Sequence, residues 1–446
     1  MFDLADTIVA PATGLGESAI AIVRLSGPRA VQIVDSFVAL RSGRSLESVK
    51  ARRLLACVVL SGDEIVDHAL CVRFTASASY TGEEMVELHL HGNPLIVDIV
   101  LRRAVEGGAR LASAGEFSRR AFVHGKLDLT EIEGLGASIR AESERALYLS
   151  QRQLHGELAS VFGRFRSDVV RLLGLLELEL DFAVDGYSLA ARDEICGVVD
   201  SMVIATEQLL ASYRSGERLR RGPRVLLLGR PNAGKSSLFN ALLGFSRALV
   251  SPVAGTTRDY VEERISHNGV VIHLVDTAGL RETDDSIESA GVRLSVGLVG
   301  VVDRVLYLVD SSESKIDADD TVLSSVVRDS GVLFTRVLTK SDIGVVPQEA
   351  VSCSVFNRSS IDALLDLVIA EYSTDITSSL TLLSRRQFDL VSTLRERLLG
   401  CEWRREDPEL LSYDLRSVLG PLDSLSGAVS SEEVLNEIFA AFCIGK

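Results

Sequence analysis

The segment GRPNAGKS at 229–236 constrains this chain more than any other feature. It matches G-x-x-x-x-G-K-[ST], follows the apolar run VLLL at 225–228 and precedes the helix-like text SSLFNALLG. In that strand–loop–helix context, glycines let backbone N–H groups converge on phosphate oxygens at a helix N-terminus. Asn232, Ala233, Gly234, Lys235, Ser236 and Ser237 are therefore expected to cradle a nucleotide. Lys235 would neutralise β/γ-phosphate charge, and the Ser236 hydroxyl would ligate Mg²⁺. A Gly-rich turn with a chance lysine does not explain the flanking strand and helix.

Further motifs follow in the order a GTP site requires. Asp276-Thr277-Ala278-Gly279 ends a second apolar run, VVIHLVD, and places a carboxylate near Mg²⁺ and a glycine N–H near the γ-phosphate. Thr257, within GTTRD at 255–259, is the expected switch hydroxyl that joins Mg²⁺ when triphosphate is present. Thr339-Lys340-Ser341-Asp342 ends another strand, and Asp342 can accept both guanine N1–H and N2–H, selecting GTP over ATP. Most G proteins have Asn where Thr339 stands, and the base-side Ser-Ala loop is approximated by Ser354-Val355. Leu280 occupies the place of the water-orienting Gln of Ras-like GTPases, so another group must position water. Glu288, on the same switch segment, is the candidate, acting through a bridging water; the plain alternative is a solvated acid beside Asp284 and Asp285. Asn232, with Ser251, Val253 and Thr256, can offer oxygens to K⁺ near the β/γ-phosphates.

With 446 residues, 46% of them hydrophobic, the chain exceeds one core and predicts two or three domains. The fold class expected is multidomain α+β / all-α / α/β. Residues 1–120 mix short β-rich runs (AIAIVRLSG, LLACVVLSG, ALCVRF, MVELHLHG) with a helical pattern, PLIVDIVLRRAVEGG, and read as an α+β domain. Residues 121–218 and 379–446 read as two halves of a helical domain. Between them, 219–378 alternates strands and helices as a parallel sheet does, an inserted α/β domain. The net charge of −15 argues against bulk attraction to nucleic acid. Six scattered cysteines without a C-x-x-C pair suggest a reducing compartment. The N-terminus lacks signal or transit character, and no uninterrupted apolar stretch is long enough to span a bilayer; a cytoplasmic protein is expected.

Over essentially its full length the chain resembles the MnmE (TrmE) family of tRNA-modifying GTPases. The residues that carry this are DTIVA at 6–10, IVRLSG at 22–27, YTGEEMVE at 80–87, GEFS at 115–118, RAF at 120–122, KLDL at 126–129 and the terminal FCIGK at 442–446. The resemblance implies an N-terminal domain that binds a tetrahydrofolate (5,10-methylene, or a 5-formyl analogue) through Arg24, Glu87, Lys126 and Lys446. It implies Cys443 as the functional cysteine, and an aminomethyl or carboxymethylaminomethyl group added to C5 of the wobble uridine (position 34) of tRNA. An FAD-dependent partner of the MnmG/GidA type, a constitutive homodimer, and G domains that close in a K⁺-stimulated GTPase are implied as well. Only six residues are Lys against 41 Arg, and Lys126, Lys235, Lys340 and Lys446 all fall in motifs, which favours chemical roles. For Cys443 the plain alternative is a small buried hydrophobe on a terminal helix.

Two departures and two rivals accompany this reading. Thr339 replaces Asn, and Asn93 stands after His91-Gly92 where a second Gly is more familiar. Glu87, His89 and His91 alternate along one strand face and mimic a two-His, one-carboxylate iron site. The other rival is a ribosome-assembly or signalling GTPase whose flanking domains only bind RNA or protein. Arg214, Arg218, Arg220, Arg221 and Arg224 are either a tRNA-facing patch or a solvated linker.

Overall fold

The computed structural model describes residues 5–14, 16–181, 192–230, 232–246, 261–276, 302–312, 332–344, 346–347, 350–370, 380–442 and 444–445. They form two compact units, one of residues 1–136, 152–202 and 396–446, the other of 137–151 and 203–395.

Alternating apolar residues build the first unit's sheet from β1 (Ile8–Pro11), β2 (Ser18–Ser26), β3 (Val38–Leu40), β4 (Leu55–Ser61), β5 (Glu64–Phe74), β6 (Met85–Gly92) and β7 (Arg110–Leu111). The strand order is β3-β4-β5-β6-β2-β1-β7, antiparallel except for the β1–β7 pair. One face is buried by α1 (Ala30–Asp35) and α2 (Pro94–Glu106), with Val23, Leu25, Val86 and Leu88 in its core. Asn93 is the N-cap of α2: its side chain accepts from the Leu95 N–H, and Pro94 follows at the first helical position. A helix start therefore occupies the place where glycine is more familiar.

Helices α3 (Glu116–Val123), α4 (Leu129–Ile139), α5 (Glu144–Leu154), α6 (Glu157–Asp181) and α7 (Arg192–Arg221) come next. Gly156, at φ 77°, separates α5 from α6 within one continuous apolar pattern. In the second unit, β8 (Arg224–Gly229), β9 (Val261–His267), β10 (Val270–Asp276), β11 (Arg304–Asp310) and β12 (Leu333–Thr339) form a sheet of order β12-β11-β8-β10-β9. All its pairs are parallel except β10–β9. Runs such as RVLLLG, apolar on both faces, suit strands covered on both sides. Helix α8 (Lys235–Ser246) leaves the carboxyl end of central β8, and α9 (Arg358–Ile369) packs into the same core through Ile361, Leu364, Leu365 and Val368. Helices α10 (Arg385–Gly400), α11 (Pro408–Ser426) and α12 (Glu432–Ala440) complete the chain, with α11 packed on α6.

The chain thus combines an N-terminal α+β sheet domain, long helices and a nucleotide-binding-type α/β sheet. Within α7, the stretch Arg192–Tyr213 has the length and mean hydropathy (1.3) of a membrane span. It is interrupted by Asp200 and Glu207, and Glu207 accepts from Arg395 at 2.8 Å. The alternation of 219–378 also calls for a helix near 288–300, which lies outside the described residues.

Candidate functional site

The carboxyl ends of β8, β10, β11 and β12 gather the first site, as open parallel sheets do. Gly229 ends β8 at φ 150°, and a Cβ there would sit 2.4 Å from the Leu308 carbonyl oxygen of β11, so only glycine lets the loop leave the sheet here. Asn232 takes φ 65°, turning the chain so that α8 begins at Lys235. The Lys235 ammonium lies on its own loop, donating to Gly229 O at 2.7 Å and Arg230 O at 2.6 Å. Asn232, Ser236 and Ser237 are exposed, while Ala233 is buried. A helix N-terminus, free hydroxyls and a cation on one loop are what a phosphate chain requires.

The base side is tied to this loop. Thr339 is buried, and its hydroxyl donates to the Ala233 carbonyl at 2.8 Å, with Val309 O at 3.2 Å. Lys340, at φ 54°, pairs with Asp310 at the end of β11. Burial alone would raise the Asp310 pKa, but Lys340 and Ser312 outweigh it and hold the carboxyl below its ordinary value. Asp342 Oδ1 accepts from Ser354 Oγ at 2.7 Å, which orients an exposed carboxylate. Sequence reasoning missed Asp310, although an acid closing an apolar strand in an α/β pattern was a usable signal. Asp276 closes β10; its side chain lies outside the described residues, as do Ser251, Val253, Thr256, Thr257, Thr277, Ala278, Gly279 and Glu288.

The second site lies on the sheet face opposite α1 and α2, where Arg24 and Glu87 are partly buried. Arg24 of β2 and Glu87 of β6 are directly paired in register, and Arg24 Nε and Nη2 both meet Glu87 Oε1, at 2.9 and 2.8 Å. The guanidinium stands over two rings, 5.5 Å from the Tyr80 centroid and 5.7 Å from that of Phe117. Tyr80 is itself held by Ser118 at 2.8 Å, and burial raises its phenol pKa. Arg24 Nη1 also donates to the Gly445 carbonyl at 3.4 Å, which brings the C-terminal motif to this pair within one chain. Cys443 and Lys446 lie outside the described residues. Lys126 is exposed and donates to Ser77 O at 2.8 Å, just before the Tyr80 loop.

His89 lies beside Glu87, its Nε2 3.7 Å from Oε2. That nitrogen is buried and has no hydrogen-bond partner among the described residues, so the site retains an unmet polar requirement next to a carboxylate oxygen. Such a pair fits a heterocycle carrying both N–H donors and acceptors. His91 turns away to Asp67 (Nδ1 to Oδ1, 2.6 Å), and no group of three metal-ligating side chains converges among the described residues. Among the described residues, Glu87, His89 and His91 therefore do not come together as the ligand set of the iron-site rival.

On α3, the helix that carries Phe117, Arg120 is fully buried among three carboxylates, Asp6, Glu83 and Glu116, and Arg110 joins Asp6 and Glu116. Burial would raise the Glu116 and Asp6 pKa values, but hydrogen bonds from Arg110, together with Arg120, bring both below their ordinary values.

Comparison with known proteins identifies the family. The family model "GTP-binding protein TrmE N-terminus" matches residues 7–126, and "MnmE helical domain" matches 129–443. The tRNA modification GTPase MnmE of Aquifex aeolicus is 36% identical over 99% of this chain and 100% of its own length. That of Chlorobaculum tepidum is 34% identical over 98% and 97%, and that of Symbiobacterium thermophilum 35% over 99% of each. Among solved structures, the G domain of the T. maritima FeoB iron transporter matches 33% of this chain and 98% of its own at 24% identity, with a TM-score of 0.26. A chain with a phosphate loop at the carboxyl edge of a parallel sheet, and full-length relatives of this kind, is a GTP hydrolase, and it belongs to the MnmE family of tRNA modification GTPases.

Proposed function

We propose that this GTPase drives addition of an aminomethyl or carboxymethylaminomethyl group to C5 of the wobble uridine of certain tRNAs. It works with an FAD-dependent partner of the MnmG/GidA type, as a cytoplasmic homodimer. The organisation proposed with it is a one-carbon domain at 1–120, a helical domain of 121–218 with 379–446, and an inserted G domain at 219–378. The observation that carries the reading is the Arg24–Glu87 pair with Gly445 of the terminal FCIGK motif against it.

In the G domain, Asn232 to Ser237 receive the phosphates, Lys235 leaves its loop carbonyls to neutralise β/γ charge, and Ser236 and Thr257 would hold Mg²⁺. Asp276, Thr277, Ala278 and Gly279 sense the γ-phosphate, and Asp342 reads guanine beside Lys340. Glu288 positions the attacking water through a second water. Asn232, Ser251, Val253 and Thr256 would hold K⁺, which would supply positive charge to the β/γ-phosphates.

In the N-terminal domain, Glu87 accepts from pterin N–H groups, and Arg24, Lys126 and Lys446 meet the anionic tail of the folate. The folate supplies the one-carbon unit, and the partner's FAD supplies redox chemistry. Cys443 is the functional cysteine and has to reach the folate site.

The test is nucleoside analysis of tRNA from cells lacking this chain, complemented with wild type, Glu288→Ala or Cys443→Ser. Loss of C5-modified wobble uridine, restored by wild type alone, with Cys443→Ser still hydrolysing GTP, supports the reading. An unchanged nucleoside profile in the deletion replaces it with the ribosome-assembly GTPase.

A further inference from the structure

The position three residues before Asp342 does something other than read the base. Thr339 has a single side-chain proton, and both neighbours of its Oγ1, Ala233 O at 2.8 Å and Val309 O at 3.2 Å, are carbonyls that can only accept. The hydroxyl proton is therefore committed to the phosphate loop and its adjoining strand. The side chain is buried, which holds it in that geometry. An asparagine amide would carry two N–H groups, one for a loop carbonyl and one left over for a ligand.

The neighbouring groups do not make up the difference. Lys340 is paired with Asp310, and Asp342 and Ser354 are bonded to each other, leaving the free Asp342 lone pairs as acceptors. A purine whose N1–H and N2–H edge meets Asp342, with its phosphates in the 229–236 loop, carries its imidazole ring over the stretch between, where Thr339 lies. N7 of that ring is an acceptor and needs a donor.

We propose that this chain recognises guanine through Asp342 on the N1/N2 edge without a side-chain donor to N7. Residue 339 leaves N7 unread and instead ties the base loop to the phosphate loop. This rests on the assignment of Asp342 to the base pocket.

The experiment measures binding of fluorescent GDP and 7-deaza-GDP to the full chain, in wild type, Thr339→Asn and Thr339→Val. The wild type is expected to bind both within about 2-fold, because removing an acceptor nothing contacts costs little. Thr339→Asn is expected to gain about 2- to 10-fold for GDP and less for 7-deaza-GDP, the range of one hydrogen bond. Thr339→Val, which loses the tether, weakens both nucleotides alike. A wild type that binds 7-deaza-GDP five-fold or more weakly than GDP overturns the proposal.

Asp342→Asn, assayed with XDP, separates the two ways of failing. Xanthine has a C2 carbonyl where guanine has an amino group, so the amide should favour XDP over GDP. If that switch is absent, the Asp342 assignment falls and this inference with it; if it occurs while wild type discriminates against 7-deaza-GDP, only the inference falls.

Discussion

Gly445 is packed so closely on Pro11 that a Cβ built on it would lie 2.0 Å from the Pro11 carbonyl oxygen, and its own φ is 95°. Both facts demand glycine: the left-handed backbone disfavours a side chain, and there is no room for one. The contact fixes the chain end beside Arg24.

Gly445→Ala should therefore displace the terminal motif. The expected result is at least a ten-fold loss of wobble-uridine modification, with GTP hydrolysis in the other unit within about 2-fold of wild type. Mass spectrometry of tRNA nucleosides, run beside a phosphate-release assay, checks it. Full modification by the alanine variant would show that the tail does not need this seat.

Among the described residues Arg120 is the largest fully buried side chain, and it is the hub of the carboxylates of Asp6, Glu83 and Glu116. Removing it leaves Glu83, whose other bond is from Ser26 Oγ, buried with a charge that Arg110 does not reach. Arg120→Met is expected to cost about 3–5 kcal/mol, the range for breaking a buried ion pair from one side. Trp403 is the chain's single tryptophan and belongs to this unit, so its fluorescence in urea follows the transition. The network also sets an acid limit. Asp6 and Glu116 are held below their ordinary values of 3.8 and 4.5, so their contribution is complete above that range and is lost as pH falls through the lowered folded values.

The same sign applies in the second unit at Glu262. Its pKa is lowered first by the bond from His273 at 2.7 Å, then against burial by Arg224. Glu262→Gln should lower stability by about 1.5–3 kcal/mol at pH 7, the scale of a hydrogen bond to a charged group. The gap to wild type should close as pH drops below 4.5, the ordinary value, and urea titration by circular dichroism at several pH values reads it. A gap of equal size at low pH would assign the loss to packing instead.

What was legible in the sequence was local. RVLLLG, VVIHLVD and RVLYLVD are β8, β10 and β11 residue for residue, and MVELHLHG is β6, because strands buried on two faces or on one write their period directly into the text. The short β1, β3 and β7 were not distinguished, since two to four residues carry no period. VEERISH, which is β9, hides because an edge strand with three charged residues pairs through its backbone. At the sites, motifs identified Lys235 and Glu87, but partners came from afar: Thr339 meets Ala233 across 106 residues, and Arg24 meets Gly445 across 421. Nothing in a one-dimensional pattern states which distant carbonyl a hydroxyl will find.

Asn232 offers a last test, of the cation in the phosphate loop. It is exposed on that loop at φ 65°, a conformation Asn tolerates better than most residues, so its side chain is free to serve an ion without first breaking an internal bond. GTP turnover by wild type should be at least ten-fold faster in K⁺ than in Na⁺ at matched ionic strength. Asn232→Ala, read at saturating GTP, should bring the K⁺ rate to the Na⁺ rate. If the alanine variant lowers both rates together, Asn232 serves the nucleotide and not the cation. Equal wild-type rates in the two salts would remove K⁺ from the mechanism altogether, leaving Glu288 and Lys235 to act without it.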